Sequence, residues 1–410
     1  MINILEKIRQ RTLIDTCHVC LPYFSFAYAK DPVSVVHRHA LNPDGRQRSA
    51  LKIAFFTAYW PLRAIVLAIS ATPKLDSKLH GVDMSRGAIF WMFWYLMIRH
   101  NMSIESCFRF RMWDRHNRRR APDYLQRYEH YALLNWLSRN KDTQPLIDKA
   151  AFEDMCRKQN LPCANIVATA TDQGVVMLDG PHLPKKDLFS KFNEQSCGSG
   201  GQAWNYKEPS QTWSNDQQSF TEPQLLKYFK EMAKGETILI QLKLRNAETL
   251  KKFSSGALCS IRVVTYKLPG QASKHLRSSL RMPVGQVDID NFAAGGIAAN
   301  IDASGYLTTA MEKFGSYRFF DVHPYTNTPI TGTMLENFND APALAMRSHD
   351  LLTDICFVGW DIAYTQHGLM VIEGNVTWDQ AVIQMPASEP LGKDFCELYL
   401  AAKEASEATP

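Results

Sequence analysis

The stretch Gly359-Trp360-Asp361-Ile362, continued after a turn by Val371-Ile372-Glu373-Gly374-Asn375, decides how this chain reads. Trp360–Tyr364 and Leu369–Glu373 are predicted strands, joined through Gln366-His367-Gly368. Asp361 begins the first strand, and Glu373 and Asn375 close the second. Residues two apart on a strand face the same way, so Glu373 and Asn375 aim at one point, and a tight hairpin sets Asp361 beside them. Two carboxylates and an amide oxygen are hard ligands, suited to a Mg²⁺ ion that also holds nucleotide phosphates. On spacing alone, a hairpin with a merely polar end stands as the alternative.

Working upstream, strand signals dominate the body of the chain. Gly296–Ile301 and Tyr306–Met311 flank Asp302-Ala303-Ser304-Gly305 and read as a hairpin. Ser260–Leu268 and Thr237–Leu244 are strands, Leu188–Phe192 is a short one, and Asn165–Leu178 holds two around Asp172-Gln173-Gly174. Helices are predicted for 123–140, 148–158, 222–234 and 340–354, the last with Asp340 as N-cap. Before residue 120 the pattern is helical, aromatic and basic. The expected division is a helical region 1–120, then 121–255 and 256–410, in an α/β (α+β) body.

Asp361 with Glu373-Gly374-Asn375 resembles the metal-binding hairpin of the ATP-grasp ligases. Asp290-Asn291-Phe292-Ala293-Ala294-Gly295-Gly296 resembles the Asn-x-x-x-Gly-Gly element of those members that glutamylate proteins. Arg262 sits where they carry Asp-x-Arg, with Ser260 in place of the Asp. Together with Gln241 after the hinge strand and the Gly-Trp-Asp strand, these elements are most similar to the sugar-transfer-associated ATP-grasp proteins. The resemblance covers about residues 125–400. Asn101–Phe110 matches that subgroup's helical leader loosely.

The resemblance implies an ATP-grasp fold with a helical N-terminal domain, and the cofactors ATP and Mg²⁺, with the metal held by Asp361, Glu373 and Asn375. Lys149, in an Asp148-Lys149 helix start, and Lys191 are implied as the phosphate-binding lysines; compact ammonium charges suit a triphosphate. Gly198, Ser199, Gly200 and Gly201 follow as a lid whose backbone N–H groups turn toward phosphate oxygens. Alone, such a loop reads as a linker; no Gly-Lys-Ser/Thr follows, so it is not a P-loop. Gln241 and Lys243 belong to the hinge that meets adenine, Gln241 standing where many relatives are acidic. Arg262, Arg281 and Asn291 are implied to face the transferred phosphate.

The activity implied is an ATP-dependent carboxylate–amine ligase working through an acyl phosphate, joining an amino acid and a sugar acid in cell-surface polysaccharide biosynthesis. Two alternatives stay open: phosphotransfer to a hydroxyl, and a non-catalytic ATP-binding scaffold. The expected partners are small-molecule or glycan carboxylates and amines.

Charge sets the N-terminal region apart. The chain carries a net +5, but residues 1–150 hold 23 Lys and Arg against 12 Asp and Glu. The remainder is acidic, so the N-terminal region is expected to have its own partner. Residues 53–71 are nearly all apolar, and 89–98 are apolar and aromatic. A spanning helix needs about 20 apolar residues, which the second segment lacks. A central Arg63 would cost the first roughly 2.5 kcal/mol or more in a bilayer. Buried helices of a helical domain are the expectation, with helices lying in a membrane interface as the alternative. No nucleic-acid module is visible. Nine scattered cysteines, among them the lone pair Cys17 and Cys20, argue for reduced thiols. With no signal-peptide core at the N-terminus, the expected location is cytoplasmic, peripheral to the inner membrane face.

Overall fold

The computed structural model describes residues 30–45, 50–75, 80–194, 201–215, 217–285, 295–313, 315 and 317–408. Cys17, Cys20, Gly198, Ser199, Gly200 and Asn291 lie outside them. Contacts divide the chain into two units, one of residues 1–139, 311–319 and 377–410, the other of 140–310 and 320–376.

The first unit is helical. Its principal helices are α1 (Pro32–Leu41), α2 (Ala50–Ala71), α3 (Arg86–His100), α4 (Arg127–Ser138) and, from the chain's end, Gly392–Ala408. Each start has a local cause. The Asp31 carboxylate accepts the Ser34 N–H at the head of α1. Ser85 caps α3 through the Ala88 N–H, and α3 stops where Asn101 turns left-handed at φ 48°. Gln126 and Glu129 form a reciprocal capping box on α4. Glu129 is also buried against His37, with Oε1 2.7 Å from Nδ1. Burial would lower the His37 pKa, but the Glu129 charge raises it above the ordinary value.

Residues 53–71 do lie in a helix, but α2 is not buried all round. Trp60, Ala64, Ala68 and Ala71 are buried, whereas Leu62, Val66 and Ile69 are 64%, 65% and 61% exposed. The small alanines let α2 pack closely on its neighbours, and the large apolar residues point away. No helix among the described residues is long and apolar enough to cross a membrane.

The second unit is built on two antiparallel sheets. One runs in the order β2-β1-β7-β3-β4-β5-β6: β1 (Ile166–Thr171), β2 (Gly174–Met177), β3 (Leu188–Phe192), β4 (Gln202–Lys207), β5 (Thr212–Ser214), β6 (Ser219–Phe220) and β7 (Ile238–Leu242). The other includes β10-β9-β8-β11-β12: β8 (Ser260–Tyr266), β9 (Lys274–Met282), β10 (Ile297–Ile301), β11 (Phe357–Thr365) and β12 (Gly368–Asn375). Helices α5 (Lys149–Lys158), α6 (Glu222–Ala233) and α7 (Asp340–Asp350) cover them. Leu225, Phe229 and Ala233 of α6 join Val167, Ile238 and Ile240 in one core. Ala341, Leu344 and Ala345 of α7 join Ile261, Val263, Leu280, Trp360 and Ile362 in the other.

Two sequence expectations shift in detail. Asn339, not Asp340, is the N-cap of α7, and Asp340 is its first helical residue. The strand expected at 306–311 gives way to two isolated bridges, Ile301 to Leu307 and Tyr306 to Met334, before a strand at Ala310–Glu312. The cause is Asp302, whose carboxylate takes the Ser304 and Tyr306 N–H groups at 2.9 Å each and holds the turn, while Leu307 N–H bonds Thr333.

Candidate functional site

The second sheet has one apolar and one charged face, and register alone puts the charges together. Arg262 pairs across the ladder with Asp361, and Asp361 with Glu373; on the far side Arg262 pairs with Ser279 and Ser260 with Arg281. Alternation sends Ile261, Val263, Leu280, Trp360 and Ile362 to the core. The opposite face carries Ser260, Arg262, Ser279, Arg281, Asp361, Glu373 and Asn375. A register shift follows Asp361 in the β11–β12 pairing. It places Asp361 and Glu373 directly opposite each other.

Asp361 is 2% exposed and is held by both arginines. Arg262 Nε and Nη2 donate to its two oxygens at 2.6 and 3.2 Å, and Arg281 Nη2 donates at 2.9 Å. Burial would raise the Asp361 pKa, yet the arginine charges dominate and hold the carboxyl down to about 2. Ser260, the residue that departs from the family's Asp-x-Arg pattern, has a role of its own. Its Oγ accepts from Arg281 Nε at 2.9 Å and Nη2 at 2.6 Å, orienting that guanidinium.

Glu373 and Asn375 share this face, with Asn375 Nδ2 donating to Glu373 Oε1 at 3.2 Å. Between them Gly374 turns to the core, where a Cβ would meet Leu146 Cδ2 at 2.7 Å and Trp360 Cζ3 at 2.8 Å. Glycine at 374 therefore lets the strand end lie flat on the core while its neighbours face the site.

The lysines come from the other sheet and its adjoining helix. Asp148 caps α5 by accepting the N–H groups of Ala150 and Ala151 at 2.9 Å, which fixes Lys149 as the first helical residue. Lys149 Nζ donates to the backbone oxygen of Asn193 at 2.8 Å, and Asn193 Oδ1 accepts the Ala150 N–H at 3.0 Å. Asn193, two residues after Lys191, thus ties the helix start to the end of β3; nothing in the sequence marks it out. Burial lowers the pKa of Lys149, and Glu373 is the first charge that offsets this. Burial also lowers that of Lys191, an effect that Glu373 offsets and the neighbouring Lys149 charge reinforces. Both ammonium groups therefore sit within the field of Glu373.

At the hinge, the backbone N–H groups of Leu242 and Lys243 donate to Asn165 and Asp187. Lys243 Nζ donates to Asn205 Oδ1 at 3.2 Å. Gln241 is 5% exposed, and its Oε1 has no hydrogen-bond partner among the described residues. A buried acceptor left unpaired costs about 1–3 kcal/mol, so it marks a place where a donor belongs. Gly201 leads into β4, at the end of the glycine loop.

The residues fit a magnesium ion and a nucleotide. Among the described residues no group of three or more His, Cys, Asp and Glu could hold a metal by itself. Mg²⁺ is ordinarily held by one or two carboxylates together with substrate phosphates, and Glu373, Asn375 and Asp361 supply that kind of partial oxygen shell. Both oxygens of Asp361 are engaged by arginine, which leaves Glu373 as the carboxylate less committed to cations.

No curated protein matches the chain. Among solved structures, D-alanyl-alanine synthetase A from Vibrio cholerae O1 biovar eltor str. N16961 is similar with TM-score 0.35 and 12% identity, covering 64% of this chain and 65% of that one. The ADP complex of purK, N5-carboxyaminoimidazole ribonucleotide synthetase, matches with TM-score 0.35 and 12% identity, covering 64% and 59%. D-alanine–D-alanine ligase from Bacillus anthracis complexed with ATP gives 0.36 and 9%, covering 64% and 68%. The chain thus spans 65% and 59% of the length of the first two. These likenesses are loose, and the assignment stands on sequence: the family profile described as "Sugar-transfer associated ATP-grasp" matches residues 133–396. That match covers well over half of the chain and includes each of the site residues above, and the protein belongs to the sugar-transfer associated ATP-grasp family.

Proposed function

We propose that the chain is an ATP-dependent carboxylate–amine ligase, and that it joins a sugar acid and an amino acid through an acyl phosphate. The observation that carries this reading is the convergence of Lys149, Lys191, Arg262 and Arg281 around Asp361 and Glu373. Four cations brought together in this way suit a polyphosphate substrate.

In the first step a carboxylate oxygen of the acid attacks the γ-phosphorus of ATP. The bond from that phosphorus to the β–γ bridging oxygen breaks, giving ADP and the acyl phosphate. In the second step the amine nitrogen attacks the acyl carbon, loses its proton to solvent, and inorganic phosphate leaves. Lys149 and Lys191 bind the phosphates, Lys149 oriented by Asn193 and by the cap that Asp148 provides. Arg262 and Arg281 are pre-aligned by Asp361 and Ser260, and their charge stabilises what develops on the transferred phosphoryl group. Gln241 Oε1 accepts from the exocyclic amine of adenine. Mg²⁺ held by Glu373 and Asn375, with Asp361, would neutralise the phosphates. The family's sugar-transfer association supports the sugar acid as substrate class.

The test is ADP and phosphate release from Mg²⁺-ATP, with pools of amino acids crossed against pools of sugar acids and Glu373→Gln as control. Release that needs both pools, yields an amide and is lost in the variant supports the ligase. ADP formed with a phosphorylated hydroxyl product and no amide overturns it in favour of phosphotransfer.

A further inference from the structure

We infer that the exposed apolar stripe of α2, with the aromatic side chains that α3 exposes, docks on an anionic membrane surface. This does not rest on the ligase reading. The stripe is Leu62, Val66 and Ile69, spaced four and three residues apart, with Ile65 and Tyr59 beside it at 36% and 45% exposed. That spacing makes one continuous face on a helix. It lies opposite the buried stripe Trp60, Ala64, Ala68 and Ala71, so burial against the unit's own core does not cover it. On α3, which packs against α2, Trp91 and Tyr95 sit one turn apart and are 61% and 49% exposed. An apolar patch of this kind on a folded unit marks an interaction surface. Trp and Tyr are the side chains that favour the boundary between headgroups and acyl chains.

Charge selects the occupant. Neither α2 nor α3 contains a single carboxylate. Between residues 50 and 100 the chain carries Lys52, Arg63, Lys74, Lys78, Arg86 and Arg99 against Asp76 and Asp83. Arg86 and Arg99 stand exposed at the two ends of α3. A second copy of the chain would bring two such basic surfaces together, which like-charge repulsion opposes. An anionic lipid surface attracts them, each basic residue near it contributing about 1 kcal/mol. The apolar side chains then enter the interface while the helix lies along it. Since neither helix is long and apolar enough to span, the mode is peripheral.

Flotation of the full chain with vesicles tests this, using phosphatidylcholine alone and phosphatidylcholine mixed with phosphatidylglycerol, at low and at physiological salt. The wild type is expected to float with the anionic vesicles, less so as salt rises, and to stay off the neutral ones. Val66→Glu with Ile69→Glu is expected to cut binding about tenfold or more, and Arg86→Glu with Arg99→Glu by about tenfold. Thermal unfolding followed by circular dichroism checks that each variant folds. Should the glutamates unfold the unit, Val66→Ser with Ile69→Ser gives the same reading. The inference is overturned if the wild type ignores anionic vesicles at low salt, or if a folded stripe variant binds as the wild type does. It is also overturned if light scattering finds a dimer that the stripe variant dissociates while vesicle binding is absent.

Discussion

The two units depart from the ordinary arrangement of globular proteins in opposite directions. The second buries charge: Asp361 and Arg262 are 2% and 6% exposed on the face of a sheet opposite its apolar core. The first exposes apolar surface, with Leu62, Val66, Ile69 and Trp91 all above 60% exposed on helices free of carboxylates. Buried charge is expensive unless paired, and exposed apolar area is unfavourable unless covered. Neither arrangement serves stability best, so each marks where the molecule meets something else. Charge held in place by other charge suits a polyphosphate, whereas apolar surface on helices whose charged residues are all basic suits lipid.

The largest effect is expected from Asp361→Asn, which leaves Arg262 and Arg281 with a neutral partner in a buried site. It is expected to destabilise the chain by about 3–5 kcal/mol in urea unfolding. The same carboxyl sets an acid limit. Its pKa is lowered from 3.8 to about 2 by the arginines, so its contribution is present above the unfolded value and lost as pH falls through the folded one. Unfolding followed between about pH 4 and pH 2 should show a loss of roughly 2 kcal/mol in the wild type that the variant lacks.

Next in size is Glu373→Gln. It is expected to lower acceptor-dependent ADP release by about 100-fold or more while leaving the thermal midpoint within a few degrees of wild type. Equal activity in the variant would remove Glu373 from the site. Gly374→Ala adds a Cβ that Leu146 and Trp360 leave no room for, and should destabilise by about 1–3 kcal/mol. Gln241→Leu removes an unpaired buried oxygen. Its expected effect is a gain of up to about 1 kcal/mol in stability, with a several-fold higher KM for ATP. A stability loss instead would mean that the oxygen already has a partner. The smallest effect is on the other unit: Val66→Ser, on the exposed stripe, should change urea stability by less than about 0.5 kcal/mol. A larger loss would place Val66 in a packed interface within the chain.

Much of the second unit was legible because its signals are local. Asp148 ahead of a helical run predicts the cap, and the cap fixes where Lys149 stands. Two-residue alternation puts Glu373 and Asn375 on one face whatever else the chain does. The helix over 222–234 follows from Thr221 and Gln224, which cap it reciprocally. Less legible was anything that depends on a partner distant in the chain. Asn193 carries no motif, yet it joins Lys149 to the end of β3. Ser260 reads as a lost acid, yet it orients Arg281 from the neighbouring strand. Residues 53–71 read as buried because they are apolar, yet apolar composition does not say whether there is a core for every face of the helix.

By itself, then, the amino-acid sequence determined most of the elements, the Asp148 cap and the kinds of group that face one way along each strand, since these depend on residues a few positions apart. Only tertiary structure decided that Arg262 and Arg281 close on Asp361, and that the Gln241 oxygen finds no partner among the described residues. It alone decided which stripe of α2 goes uncovered. The physical reason is that pairing and burial are set by strand register and by which surfaces meet, and both join residues about a hundred positions apart that no local pattern links.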